Sequence, residues 1–598
     1  MNSTGTSDDG RTLWLLGLLL ALSALAFGVG LSDAPIERAE IYFLDAARAM
    51  VERADWLVPY YRGEPFYDKP PLTYWLLALS FEAFGPSLFS GRLVAALLAL
   101  ATLWATYSLT RRLIFPEDGR LSGRAQEAAL FATAILATSY AFVSFARLAM
   151  SDLLLTLLTL LAGGVYLRSE TEARPHVLAP CGALLGLAFL TKGPVAWIYF
   201  GALLLAFLLV ERRLPRIFNP SGLAGTLSAL VVGLSWFALV YLREGIEPLK
   251  WFFLRENLQR FGAPTYDAAE PFWFYFPVYA VEGLPWSVLA IPAALWAGRV
   301  DAPKVLRVLL VWSMLMLVPL SLSRGKIDYY LLPLLPPLGI VIGAYLALGQ
   351  PSSRTLRILA LVTCGLLLAA AAFPMLPVPF APSLTKIMAM RAFLGLAALA
   401  CCLSAIRPAA RVIVSTSAAA VLGAALFLFG AIVPAFRSAQ PSQAFLDDIA
   451  RERVFTPDLE IAICDDSLRL QRDLLFTLRI SVVEQCELWA VVSSSRKFLI
   501  IATSAQETSL RTADNVRHIA THVHLPADVT RLGTLLRGAQ VSSVGLLANF
   551  RTEDPVARWK ENREWKRWLD TPEGQKAQDE YEEGQRRLER QRGRPSLK

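Results

Sequence analysis

The sequence predicts a polytopic α-helical membrane protein of about thirteen transmembrane helices, closed by a small C-terminal extracytoplasmic α/β domain. Three observations predict it. First, 55% of the 598 residues are hydrophobic, only 18% are charged, and mean hydropathy is +0.44; a soluble chain carries about a quarter charged residues. Second, apolar stretches of roughly membrane length recur as far as residue 434. Third, every second connection between them is basic. An ordinary soluble enzyme is excluded, and the wealth of Leu, Val and Phe excludes disorder. Lys and Arg number 58 against 50 Asp and Glu, a net +8. Basic cytoplasmic connections account for that excess, so it calls for no nucleic-acid partner.

Candidate spans run over 12–32, 90–110, 126–145, 150–167, 176–191, 194–210, 222–242, 273–297, 305–322, 329–348, 356–375, 390–406 and 411–434. The first reads as a span rather than a cleaved signal peptide. It is long, lacks a small-residue cleavage site and follows Asp8 and Asp9. With the N-terminus in the cytoplasm, the inner connections carry Arg111, Arg112, Arg120 and Arg124; Arg168 and Arg174; Arg212, Arg213 and Arg216; Arg299, Lys304 and Arg307; Arg354 and Arg357; and Arg407 and Arg411. An odd count then puts the C-terminal part outside. Residues 1–437 form the membrane module, 438–550 the α/β domain and 551–598 a charged helical tail, with no internal repeat.

The outer connections are unusual. Residues 33–89 form a long aromatic-rich loop in which 38–51 reads as an amphipathic helix lying on the membrane surface. Loop 243–272 carries Trp251, Phe252, Phe253, Arg255, Glu256 and Arg260. Beyond residue 440, apolar runs at 461–464, 480–483, 498–501 and 541–547 alternate with polar helical stretches, an α/β pattern. In the tail, Trp559, Trp565 and Trp568 read as packing on that domain rather than touching the membrane. Of six cysteines, Cys181, Cys364, Cys401 and Cys402 lie in apolar stretches and read as small hydrophobes. Cys464 and Cys486 form either one disulfide or two thiols. No CxxC marks a zinc or redox site.

A charge at the bilayer centre costs about 2.5–3.5 kcal/mol on insertion scales, so intramembrane charges should be few. Asp152, Lys192 and the Lys326–Asp328 pair each fall at the outer end of a span, on the side of Glu37, Glu40, Asp68 and Lys69. Lys69, Lys192, Arg147 and Lys326 can neutralise a phosphate or diphosphate. Glu40, Asp68 and Asp152 can accept a proton or hold a divalent cation. Apolar walls suit a lipid tail. Together these suggest chemistry on a lipid phosphate headgroup, with a lipid-phosphate-linked sugar as the activated donor. Each residue also has a plainer reading: Asp68–Lys69 as a solvated ion pair, Asp152 as a helix cap, Lys192 as a snorkelling lysine in a turn, Lys326 beside Tyr329 and Tyr330 as an interfacial anchor. Convergence on one side favours function.

The motifs extend this reading. Phe66-Tyr67-Asp68-Lys69-Pro70-Pro71-Leu72-Thr73-Tyr74-Trp75 resembles an FxEKPPLxYW signature. Arg147–Asp152 resembles an AR-x-x-x-[ST]-D element, and Phe189–Pro194 an LTKGP element. Pro271–Tyr275 with Pro285-Trp286 is similar to a PFWYYLP…PW segment, and residues 321–337 to a lysine-Tyr-Pro segment. In order over about residues 10–350, they make the chain resemble the polytopic glycosyltransferases of the GT-C class. Within the protein O-mannosyltransferase-like superfamily, the lipid A aminoarabinose transferase group is the nearest match. The resemblance implies a hexosyl or pentosyl transfer from polyprenyl phosphate to a lipid or glycolipid acceptor in lipopolysaccharide biosynthesis, on the periplasmic face of the bacterial inner membrane. It implies that Lys69 and Lys192 hold the donor phosphate, that Asp68 stands where the group has a metal-linked glutamate, and that Asp152 is a functional aspartate. Arg260, in Glu256-Asn257-Leu258-Gln259-Arg260-Phe261, and Tyr330, in the lysine-Tyr-Pro segment, join the substrate-binding set.

The chain departs from the pattern twice. The group opens its first outer loop with Asp-Glu, where counting back from Trp56 gives Ala39-Glu40, leaving Glu40 or Glu37 to substitute as the catalytic carboxylate. The group has a histidine where this chain has Asn257. His176 falls on the cytoplasmic side, and His518, His522 and His524 fall in the C-terminal domain, where a structural role outweighs a ligand role. A divalent metal can assist, although nothing in the sequence demands one. Three other readings stand beside lipid glycosylation: a lipid or sugar transporter, whose polar helices would sit near the midplane; an inactive scaffold, suggested by Ala39; and a transferase whose acceptor is protein.

Overall fold

The chain was analysed as a computed structural model that describes residues 5–34, 36–37, 39–114, 122–171, 175–262, 270–372 and 384–434, together with five C-terminal strands and residues 491, 506 and 510. Two compact units emerge. Met1–Ser32, Tyr42–Phe373 and Ser383–Ile432 form the first; Asp33–Ile41, Pro374–Pro382 and Val433–Lys598 form the second.

The first unit is helical. In chain order it contains α1 (Gly5–Gly28), α2 (Glu40–Arg53), a two-stranded hairpin of β1 (Tyr60–Tyr61) and β2 (Glu64–Pro65), α3 (Leu72–Phe84), α4 (Leu88–Ile114), α5 (Ser122–Ala137), α6 (Tyr140–Phe145), α7 (Asp152–Thr171), α8 (Leu178–Lys192), α9 (Val195–Glu211) and α10 (Pro220–Glu244). There follow α11 (Glu247–Lys250), a π-helical segment over Trp251–Gln259, α12 (Arg260–Gly262), α13 (Tyr275–Glu282) and α14 (Ala290–Ala297). Next come α15 (Lys304–Leu322), a 3-10 segment over Asp328–Leu334 that leads into α16 (Leu335–Leu348), α17 (Ser353–Ala372), α18 (Leu384–Ser404) and α19 (Ala410–Phe427).

Among the described residues, nine helices are long and apolar enough to cross a membrane, and the pair Tyr275–Glu282 and Trp286–Ala297, bent by 114°, makes a tenth if it is one span. The chain is a multi-pass helical membrane protein. Every predicted stretch contains helix, but one is divided and two make only short helices. Residues 126–145 divide into α5 and α6 at Thr138–Ser139, where both hydroxyls bond back to carbonyls four residues earlier. Helices α8 and α9 have 15 and 17 residues, at or below the usual lower limit of about 17 for a span.

The bundle packs as helices in lipid must. Thr102, Thr106 and Thr110 along α4 each donate to the carbonyl four residues back, so these three hydroxyls find partners in an apolar setting. Small residues let backbones approach. A Cβ on Gly182 of α8 would fall 1.8 Å from the Gly225 carbonyl oxygen of α10, and one on Gly343 of α16 would fall 2.5 Å from the Ala132 nitrogen of α5. Near the end of α7, the buried Glu170 accepts from Tyr166 Oη (3.0 Å), Arg213 Nη1 (2.7 Å) and the Arg216 N–H (2.6 Å), locking the α9–α10 connection onto α7.

One expectation is corrected. The 38–51 segment does form a helix, α2, from Glu40, but protein covers both of its faces rather than leaving one for a membrane surface. Leu44, Ala46, Ala47 and Met50 are fully buried, and Asp45 and Arg48 are buried too. The charges that suggested a polar face neutralise each other inside the protein, Arg48 donating to Asp45 three residues away. Of the apolar-stretch cysteines, Cys181 and Cys401 are buried, Cys364 is partly buried, and Cys402 is exposed.

The second unit contains a five-stranded sheet in the order β4-β3-β5-β7-β6, from β3 (Glu460–Ile463), β4 (Val482–Glu484), β5 (Phe498–Thr503), β6 (Arg517–His524) and β7 (Ser542–Ala548). β3 pairs in parallel with β4 and β5, whereas β7 runs antiparallel to β5 and β6. Phe498 through Ala502 are all buried, so the central strand β5 is covered on both faces. Cys464, Cys486 and the tail tryptophans lie outside the described residues.

Candidate active site

Helix α7 begins at Asp152, and α8 ends at Lys192. Their side chains form an ion pair between Lys192 Nζ and Asp152 Oδ1. Each charge suits its place: the carboxylate stands at the positive end of one helix dipole and the ammonium at the negative end of another. Asp152 is 2% exposed. The Lys192 ammonium also lies 4.4 Å from the ring centroid of Tyr330 and 5.5 Å from that of Tyr329, within cation–π range. Asp152 is therefore the first helical residue, and its carboxylate is turned to a lysine forty positions away.

Gly193 follows with φ +75°, the left-handed region that favours glycine. A Cβ there would stand 2.5 Å from the ring of Phe252. Phe252 opens the link to the second half of the site, because its neighbour Trp251 donates from Nε1 to Asp68 Oδ1 at 3.1 Å. The Arg255 guanidinium stacks 4.0 Å from the centroid of the same indole. The Lys69 ammonium donates to the Asp68 main-chain carbonyl at 2.9 Å.

The segment carrying Asp68 and Lys69 is pinned from both sides. Trp75 Nε1 donates to the Trp56 carbonyl (2.6 Å), and Trp236 Nε1 of α10 donates to the Leu57 carbonyl (2.8 Å). Arg243 at the end of α10 makes a bidentate pair with Asp55, at 3.0 and 2.6 Å. Asp55 Oδ1 also accepts from the N–H groups of Leu57 and Val58. Partial burial pushes the Asp55 carboxyl up, but the Arg243 guanidinium and the two N–H donors outweigh it and hold the carboxyl below the usual range.

Two predicted cations face main-chain carbonyls. Arg147, between α6 and α7, donates to the carbonyls of Ala26 (2.8 Å), Phe27 (2.9 Å) and Val29, and lies 3.8 Å from the Phe429 ring centroid. It thereby satisfies the carbonyls that the end of α1 leaves open. Lys326 donates to the carbonyls of Glu270 (2.9 Å) and Ser323, and burial lowers its pKa from the usual lysine value.

Glu40 opens α2 and is fully buried; its carboxylate accepts from the Glu37 N–H at 3.2 Å, while the Glu37 carboxylate accepts from the Ala39 N–H at 2.6 Å. Arg260 begins α12, and its side chain lies outside the described residues. Exposed His176 sits in a turn before α8. Among the described residues, no three His, Cys, Asp or Glu side chains group so as to hold a metal ion.

The structure thus brings together Asp152, Lys192 and Tyr330, and joins Trp251 to the side chain of Asp68, whose main-chain carbonyl accepts from Lys69. Sequence reasoning placed Trp251 and Arg255 in an aromatic outer loop without giving them partners. The density of aromatic and basic residues there was the available signal.

Comparison with known proteins agrees with this architecture. Residues 68–238 match the dolichyl-phosphate-mannose-protein mannosyltransferase family. The crystal structure of ArnT from Cupriavidus metallidurans bound to undecaprenyl phosphate superposes with a TM-score of 0.69 at 20% identity, covering 91% of this chain and 98% of that one. The fold is like that of ArnT, a polytopic helical membrane architecture. In sequence, the chain is similar to the undecaprenyl phosphate-α-4-amino-4-deoxy-L-arabinose arabinosyl transferases: 33% identical over 343 residues to that of Pseudomonas aeruginosa LESB58 and 30% over 352 residues to the second of Pseudomonas fluorescens Pf-5. These matches take in 56–57% of this chain and 57–60% of the relatives' length, so the chain spans less than two thirds of the curated relatives it matches.

Proposed function

We propose that this protein is a membrane glycosyltransferase that moves a sugar from a polyprenyl-phosphate donor to a lipid acceptor, lipid A or another envelope glycolipid. The chemistry lies on the periplasmic face of the inner membrane, in a chain that crosses it thirteen times. One observation carries the reading. The Trp251–Phe252 step joins the buried Asp152–Lys192 pair to the Asp68–Lys69 segment, since Trp251 bonds Asp68 and Phe252 abuts Gly193. The named activity of the aminoarabinose relatives supports it.

In this reading the acceptor oxygen attacks the anomeric carbon, the bond from that carbon to the phosphate oxygen breaks, and the electron pair leaves with the polyprenyl phosphate. Lys192 and Lys69 stabilise the growing phosphate charge, with Arg260 and Tyr330 completing the subsite. Asp152 aims Lys192 through the ion pair. Arg147 and Lys326 act through the backbone that they hold. A phosphate acceptor brings its own anion; a hydroxyl acceptor gives its proton to a carboxylate. The resemblance in sequence assigns that proton to Glu40, and Glu40→Gln tests it. The mannosyltransferase family match supports a second reading, with protein as the acceptor.

The test uses purified protein in proteoliposomes with radiolabelled undecaprenyl phosphate-aminoarabinose and lipid A. A new glycosidic bond that disappears in Lys192→Ala and Lys69→Ala supports the enzyme. Relocation of label without bond formation, or full turnover by both variants, refutes it.

A further inference from the structure

Trp251 is 39% exposed. Its indole N–H is hydrogen-bonded to the Asp68 carboxylate, and the Arg255 guanidinium lies 4.0 Å from its ring centroid. An interfacial tryptophan ordinarily sits in a belt at the headgroup level. This one is instead joined by its polar edge to a carboxylate on a segment 183 residues away, and a cation stacks on its ring. The combination suits a sugar. The Arg255 guanidinium covers one face of the indole, so the C–H face of a pyranose or furanose would stack on the other, with the Asp68 carboxylate at the ring edge to accept from its polar rim. The indole N–H uses Asp68 Oδ1 and leaves further lone pairs on the carboxylate to accept from a sugar hydroxyl or amino group. The main-chain grip on Trp56 and Leu57 holds the Asp68 segment in place, so the subsite is built before a ligand arrives.

We infer that Trp251, Asp68 and Arg255 form the subsite for the sugar ring of the donor, with Trp251 as the stacking platform. The inference rests on the transferase reading above and goes beyond it by separating sugar recognition from phosphate grip. The phosphate belongs to the lysines, and the ring to Trp251.

The test compares two probes on the full-length protein in nanodiscs: undecaprenyl phosphate and undecaprenyl phosphate-aminoarabinose. Trp251→Ala should weaken the sugar-bearing probe about tenfold and leave bare undecaprenyl phosphate within about twofold. Trp251→Phe keeps a ring and loses the N–H, so it should weaken only the sugar-bearing probe, by about threefold; it also serves if the alanine variant does not fold. Arg255→Ala should likewise affect only the sugar-bearing probe. Equal loss for both probes, or no loss for either, overturns the sugar subsite while leaving the transferase reading intact. A wild-type protein that binds neither probe overturns the transferase reading, and this subsite with it.

Discussion

Lys192 closes α8 with its ammonium paired to the Asp152 carboxylate that opens α7, beneath the ring of Tyr330. The pair is nearly closed to solvent, with side chains 11% and 3% exposed. Breaking such a pair by removing one partner leaves an uncompensated buried charge, at a cost of about 3–5 kcal/mol, whereas removing both costs far less. Lys192→Ala and Asp152→Asn should each lower thermal stability in detergent, and the double variant should recover most of it. Transfer should not recover, because the phosphate still lacks its ammonium. A stable double variant with wild-type turnover would remove Lys192 from the mechanism.

Tyr330 offers a finer test. A cation–π contact contributes about 0.5–2 kcal/mol, depending on desolvation. Tyr330→Phe keeps the ring face and should retain donor-phosphate affinity, while Tyr330→Leu should weaken it several-fold, about 2- to 30-fold from the same range. Undecaprenyl phosphate binding measures both. Equal loss in the two variants would point to the hydroxyl rather than the ring.

The Asp55–Arg243 pair makes the pinning of the first outer loop pH-dependent. The folded Asp55 carboxyl lies below its ordinary value near 3.8. A carboxyl depressed on folding contributes stability above its unfolded pKa and loses that contribution as pH falls through its folded one. Arg243→Gln should therefore lower the melting temperature near pH 7, and the gap from wild type should narrow as the pH drops below about 4. A gap that stays constant across that range would show that the pair is not its source.

The multi-pass helical architecture was legible, because apolar length is set by the bilayer rather than by tertiary detail. Asp152, Lys192 and Lys69 stood out as candidates, since charges beside apolar runs are conspicuous. Their partners were not. That Asp152 faces Lys192 depends on how α7 and α8 pack, and that Trp251 reaches Asp68 depends on a contact across 183 positions. The helix α2 misled for the same reason. A polar face in sequence cannot reveal that Arg48 and Asp45 neutralise each other inside the protein. Arg147 looked like an anion site, yet it lies against the end of α1, a carbonyl-rich target that no local pattern announces.

Gly193 gives the sharpest test of the link between the two halves of the site. Its φ of +75° penalises any Cβ, and that Cβ would stand 2.5 Å from Phe252 Cζ. Gly193→Ala therefore carries a backbone cost of about 1–2 kcal/mol and pushes Phe252 away, taking the adjacent Trp251 from Asp68. Transfer should fall far more than stability does. Adding Phe252→Ala removes the clash but leaves the backbone cost, so the double variant should regain part of the turnover while remaining less stable than wild type. If relieving the clash restores no activity, Lys192 and Asp68 do not communicate through the Trp251–Phe252 step, and the two halves would have to act independently.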